Sequence, residues 1–128
     1  MTNLGLIKLL LLTGLPLSAC VLFSILFYNG KPMSFKELVE KSGYTKGHVS
    51  NILKLLESFN LVERIPERKK VYFVAKKEGI YNHVVMHLKS LQENLSSIIN
   101  NFDEKDRKKA QTFLSDLDLM LRRVSKNA

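Results

Sequence analysis

From Leu9 to Tyr28, twenty consecutive residues carry no charge, and a run of that length must be buried either in protein or in lipid. Its interior holds the clue to which. Gly14-Leu15-Pro16 reads as a break, with Pro16 in the first turn of a second helix, where its missing N–H is no loss. Two shorter buried helices then account for the run. The first spans about Leu4 to Leu12 and is apolar on nearly every side, which calls for more burial than one small domain supplies. The second spans about Leu17 to Tyr28. It places Leu17, Cys20, Val21, Ser24, Ile25 and Tyr28 at spacings of three and four and stops at Asn29-Gly30.

The lipid alternative is a membrane-tethered protein with an inserted or lipidated N-terminus. Leu17-Ser18-Ala19-Cys20 resembles the box at which bacterial lipoproteins are cleaved and lipidated on cysteine. Against it, Lys8 is the only basic residue ahead of the apolar run, and an apolar stretch rather than a polar tether follows Cys20. No membrane partner is expected. With 128 residues and 45% apolar side chains, the chain can bury a core as one domain and is too short for a large enzyme. One cysteine excludes an intramolecular disulfide framework and a four-cysteine zinc site, making the cytoplasm the default compartment.

Further along, Lys31-Pro32-Met33 reads as a connector, and Ser34 with Glu37 forms a capping box opening a third helix that buries Phe35, Leu38 and Val39. Gly43 ends it and Thr45 caps the next. There Val49, Ile52, Leu53 and Leu56 recur at i, i+3, i+4 and i+7, leaving Lys46, Gly47, His48, Ser50, Asn51 and Lys54 on the other faces. After Asn60 the period changes to that of strands: Leu61 to Pro66, a charged turn, then Val71 to Ala75. In the second strand one of Tyr72 and Phe73 should face the core and the other the opposite side. Val84, Leu88, Leu91, Leu95, Ile98 and Phe102 then alternate by four and three, the seam of a coiled coil on a long fifth helix. Asp103 and Asp106 open a sixth helix with Phe113, Leu117, Met120 and Val124 in a like seam, thickened by Leu114 and Leu121.

Charge is uneven along the chain. Lys8 is the only charged residue in positions 1–30, whereas positions 31–78 hold eleven basic and six acidic residues and the remainder eight and six. The overall net charge of +8 therefore concentrates in the middle third, most tightly at Arg64, Arg68, Lys69 and Lys70. A polyanionic partner is implied.

The order helix, helix, turn, helix, basic hairpin over residues 17–75 is that of a winged helix-turn-helix, so the fold class is mainly α with a small β-hairpin. The stretch Thr45-Lys46-Gly47-His48-Val49-Ser50-Asn51-Ile52-Leu53-Lys54-Leu55-Leu56-Glu57, followed by Leu61-Val62-Glu63-Arg64, resembles the MarR and GbsR-like transcriptional regulators, especially archaeal ones. It also has TrmB-like and ArsR-like echoes. Two departures stand out: Phe59-Asn60 replaces a glycine-containing turn, and the turn Glu67-Arg68-Lys69-Lys70 lacks the glycine often found there. Asn60 can take the left-handed conformation in glycine's place.

The resemblance implies a homodimeric DNA-binding repressor or activator with a recognition helix at 45–58, a wing at 66–71, and dimerisation through terminal helices. Residues 1–14 and 77–128 are then helical dimerisation extensions around a core at 15–76. Leu6, Leu10, Val84, Leu88, Leu91, Leu95, Ile98, Phe102, Phe113, Leu117, Met120, Leu121 and Val124 are the residues expected at the dimer interface. A small-molecule effector fits such a regulator without being identified by any residue.

The residue types suit double-stranded DNA. A helix fits the major groove, Asn51 can pair bidentately with adenine, Lys46 can donate to guanine, and His48 can donate or accept, so these three are the expected base readers. Ser34, Thr45, Gly47, Ser50, Lys54, Arg64, Arg68, Lys69 and Lys70 are the expected phosphate contacts. The plainer alternatives are a solvated polar helix face and a lysine-rich tip that blunts a strand edge. A winged helix used for protein assembly is the rival function.

His83 and His87 lie four apart, and in a two-fold dimer four imidazoles could meet a zinc or nickel ion. The same spacing suits flanking positions of a coiled coil, and no cofactor is expected. Cys20, on an apolar helix, reads as a buried structural thiol. No nucleophile stands beside a plausible base and no phosphate-cradling glycine loop is present, so the chain is not read as an enzyme.

Overall fold

The computed structural model describes residues 4–126. The uncharged run is indeed divided: α1 covers Leu4–Leu12 and α2 covers Leu17–Asn29. Gly14 turns the chain between them with φ of +88°, and Pro16 stands at the N-cap, its carbonyl accepting from the N–H groups of Ala19 and Cys20. Gly30 closes α2 in the left-handed conformation. Among the described residues no helix is long and apolar enough to cross a membrane.

Next come β1 (Met33–Ser34), α3 (Phe35–Ser42), α4 (Lys46–Ser58), β2 (Val62–Glu67) and β3 (Lys70–Ala75). The capping box is present with both bonds: Glu37 N–H donates to Ser34 Oγ at 3.2 Å, and Ser34 N–H donates to Glu37 Oε1 at 3.1 Å. The sheet is antiparallel with order β1-β3-β2. Its smallest strand joins Met33 of the expected connector to the capping Ser34, two residues being too few to display alternation in the sequence. Met33 and Ser34 pair with Phe73 and Tyr72, which places Phe73 in the core and leaves Tyr72 half-buried.

The described chain divides into two compact units, one ending at His83 and the other beginning at Val84. In the first, α2 packs against α1, α3, α4 and β3. Its buried residues are Ala19, Cys20, Leu22, Phe23, Ser24 and Leu26, a face that keeps Cys20 and Ser24 of the expected stripe but leaves Val21 and Ile25 half-buried and Leu17 and Tyr28 exposed. Where nearly every residue is apolar, spacing carries no directional signal, and the surrounding elements choose the face. Leu6 and Leu10 also turn inward, Leu10 with no exposed surface, and join this core. That corrects their assignment to a dimer seam: the exposed leucines of α1 are Leu4, Leu9, Leu11 and Leu12. Burial pushes the Cys20 thiol pKa up, against the smaller opposing effect of a backbone hydrogen bond.

The fifth helix, α5 (Lys77–Ile98), starts at the expected boundary of 76/77, and its first seven residues, to His83, belong to the first unit. The preceding turn prepares its position. Asn60, at φ of +60°, ends α4 in a Schellman motif, with Leu61 N–H donating to the Leu56 carbonyl and Asn60 N–H to that of Glu57. Lys76 Nζ donates to Asn60 Oδ1 at 2.9 Å and Lys76 N–H to the Leu61 carbonyl at 2.8 Å. Gly79 lies so close to Asn60 that an added Cβ would collide with its carbonyl oxygen.

His83 completes this junction and is buried. The Thr13 hydroxyl donates to the Leu10 carbonyl at 2.6 Å, so it accepts from His83 Nε2 at 2.8 Å. The Phe59 ring meets the imidazole edge-on, with centroids 5.1 Å apart. His83 is therefore a packing residue of the first unit while His87 is exposed, which corrects their reading as paired metal candidates. Among the described residues no group of three or more metal-ligating side chains comes together.

In the second unit a 3-10 turn at Ile99–Asn101 interrupts the seam before α6 (Glu104–Lys126). Phe102 has extended backbone angles and lies off both helices, correcting its placement on the fifth. Gln92 Nε2 donates to Asp118 Oδ1 at 3.3 Å, and Asp103 Oδ1 caps α6 by accepting from Asp106 N–H at 2.8 Å. Val84, Leu88, Leu95 and Val124 are half-buried. Leu117 and Leu121 are already buried within the chain, whereas Leu91, Ile98, Phe113 and Met120 remain exposed.

Two outcomes are expected. Gly79→Ala forces backbone apart and should lower stability by about 1–3 kcal/mol in a denaturant titration. Cys20 should resist a thiol reagent in the folded protein near neutral pH and react with one equivalent once the chain is unfolded.

Candidate nucleic-acid interface

The first unit carries every residue expected to meet nucleic acid. Thr45 caps α4 from an extended backbone, its Oγ1 accepting from His48 N–H at 3.2 Å. Val49, Ile52, Leu53 and Leu56 are buried, as their spacing predicts. That fixes the rotation of α4. Lys46, Gly47, His48, Asn51 and Lys54 are consequently exposed, and Ser50 half-buried.

The exposed end is the helix N-terminus, where free N–H groups and the positive end of the dipole favour an anion. Gly47 has nothing within 4 Å of where a Cβ would stand, so a ligand can approach its backbone closely. Among the described residues, Lys46, Asn51 and Lys54 form no side-chain hydrogen bond or ion pair, and their donors remain available. Thr45 and Ser34 each use an oxygen lone pair in capping but keep a hydroxyl proton to donate. Lys36 is a further exposed cation beside them. It lines, with Phe35, Val39, Glu40 and Lys46, a cleft of about 470 Å³ at the start of α4.

The hairpin supplies the second group of cations. Glu67 pairs with Lys70, leaving Arg68 and Lys69 as a two-residue turn. Arg68 takes φ of +56°, the conformation for which glycine is usual. Lys69 and Lys70 are exposed beside it, and a second cleft of about 480 Å³ is lined by Glu67, Arg68, Lys69, Lys70 and Tyr72.

Arg64 also has partners within the fold. Its Nη2 lies 2.8 Å from Glu57 Oε1, and its guanidinium sits over the Phe73 ring at 5.2 Å from the centroid. The residue links β2 to the last turns of α4 and stacks on the sheet, while its side chain stays half exposed with further N–H groups for the expected phosphate contact. Composition and spacing could not separate it from its basic neighbours, because Glu57 becomes adjacent only when the strand folds back along the helix.

Tyr44 was missed altogether. Its ring lies against that of His48 with centroids 4.9 Å apart and planes at 37°. The sequence signal was the aromatic residue immediately before an N-cap, a position that usually staples a helix to the core.

No protein-family model matches the chain, and no curated protein does. Solved structures are similar to it. One described as a transcriptional regulator is 16% identical and aligns over 96% of this chain and 90% of its own, with a TM-score of 0.66. A mutant MepR from a multidrug-resistant S. aureus clinical isolate is 15% identical over 89% of this chain and 84% of its own, with a TM-score of 0.52. These likenesses are of fold: the chain is a mainly helical winged helix-turn-helix with a small three-stranded antiparallel sheet.

The wing turn gives a prediction in which stability and binding part company. Arg68→Gly relieves the left-handed backbone and should stabilise the protein by about 1 kcal/mol, read by thermal unfolding. It also removes one cation from each chain, so for a homodimer the log–log salt slope of DNA binding should fall by about 2.

Proposed function

We propose that the chain is a sequence-specific double-stranded DNA-binding transcription regulator, MarR-like and acting as a homodimer. The observation that carries this reading is that one folded unit presents both the open, cationic N-terminal turn of α4 and a basic two-residue hairpin tip. The recognition helix at 45–58 enters the major groove, and the wing at 66–71 lies on the backbone or in the minor groove.

In this reading Lys46, His48 and Asn51 contact base edges. Thr45, Gly47, Ser50 and Lys54 hold phosphates around them, Ser34 and Lys36 extend that track, and Arg68, Lys69 and Lys70 supply the wing's charge. Exposed apolar side chains on the terminal helices support pairing with a second copy: Leu4, Leu9 and Leu12 on α1, and Leu91, Ile98, Phe113 and Met120 on α5 and α6. A two-fold dimer would set its recognition helices about one DNA turn, roughly 34 Å, apart on a pseudo-palindromic site. An effector that alters this spacing would regulate binding. The protein would then work in the cytoplasm beside its DNA.

The test is titration into fluorescent genomic duplexes, including the region upstream of its own gene, at two salt concentrations with random competitor. If each subunit neutralises about four or five phosphates, the dimer's log–log salt slope is roughly −7 to −9. Lys46→Ala and Asn51→Ala should each lower discrimination by about 1–3 kcal/mol while leaving random-duplex binding much less changed. Failure to bind any duplex at low salt overturns the reading and favours the protein-assembly function.

A further inference from the structure

Tyr44 stands between Gly43, which ends α3 in the left-handed conformation, and Thr45, which caps α4. Its N–H donates to Ser42 Oγ at 3.2 Å, and its half-buried ring packs against the core of the first unit. A residue at this position commonly packs on the fourth helical residue, here the buried Val49, and apolar bulk is enough for that. Contact with His48 is a separate matter. His48 is exposed, so an aromatic pair with centroids 4.9 Å apart at its side does not fill the core.

The contact does restrict the imidazole. His48 is tied at its backbone by the Thr45 cap and at its ring by Tyr44. An orientation already favoured in the free protein removes part of the ordering that binding would otherwise require. Lys46 and Asn51, the other expected base readers, have no such ring beside them among the described contacts.

We propose that Tyr44 is a positioning residue for DNA reading: its ring holds the His48 imidazole in one orientation and thereby sets selectivity at the base pair that His48 contacts. The inference rests on α4 being the recognition helix. It assigns Tyr44 no base contact of its own.

The experiment selects preferred duplexes from a randomised pool with the wild-type protein and with His48→Ala, Tyr44→Leu and Tyr44→Phe. His48→Ala should flatten the preference at one position of each half-site. Tyr44→Leu should weaken preference at that same position by about three- to tenfold, with random-duplex affinity and melting temperature nearly unchanged. Tyr44→Phe keeps the ring and should keep the wild-type preference. The His48 ring-proton resonances supply an independent readout: the ring current felt in wild type should persist with Phe and vanish with Leu. Tyr44→Met, apolar and ringless, replaces the leucine variant if that one does not fold.

Full selectivity at the His48 position in a folded ringless variant overturns the inference, as does an equal loss at every position. Equal loss in the phenylalanine and leucine variants overturns it as well. A wild-type protein that enriches no duplex overturns the recognition-helix reading instead, a result separable from the others because it appears before any variant is compared.

Discussion

The enclosure of α2 is the constraint on which the first unit depends. This helix has no charged side chain to offer water, and α1, α3, α4 and β3 pack against it. Leu22, Phe23 and Leu26 are buried to within 1% of full coverage, and burial of side chains of this size is worth about 1.5–3 kcal/mol each before the entropy of ordering them is counted. An amphipathic covering helix such as α3 or α4 contributes its apolar face and must therefore turn its polar face outward. For α4 that outward face begins with Lys46, His48 and Asn51. The candidate nucleic-acid surface is thus a by-product of where the core lies.

A second constraint joins the end of α4 to the start of α5. Asn60 adopts a left-handed conformation, Leu61 satisfies the helix carbonyls, and Gly79 brings the next helix against that backbone with no side chain between. Lys76 bonds to Asn60 and Leu61, while His83 reaches Thr13 in the turn between α1 and α2. The start of α5 therefore cannot shift without disturbing the turn that ends α4.

Local chemistry was legible wherever a signal depended on neighbours in sequence. The Ser34–Glu37 capping box, the Thr45 cap, the left-handed turns at Gly43 and Asn60 and the buried face of α4 all follow from spacing within a few residues. The break at Gly14 to Pro16 was legible for the same reason. β1 was not, since two residues form a strand only because β3 offers them hydrogen bonds. Nor was the burial of Leu6 and Leu10, as an all-apolar helix has no sequence-determined inside. Phe102 fitted the numerical alternation of a seam, but the 3-10 turn before it carries it off the helix.

The candidate site divides along the same line. By itself the sequence determined that a basic turn follows an amphipathic helix with a polar, capped N-terminus, because helix period, capping and charge are local properties of the chain. Only the tertiary structure decided that Arg64 pairs with Glu57 and covers Phe73, that His83 is a core partner of Thr13, and that Tyr44 lies against the ring of His48. The first two of those choices depend on which elements fold back on one another. The last depends on how the turn between α3 and α4 aims a side chain, and a sequence records the presence of the two rings without the torsion angles that bring them together.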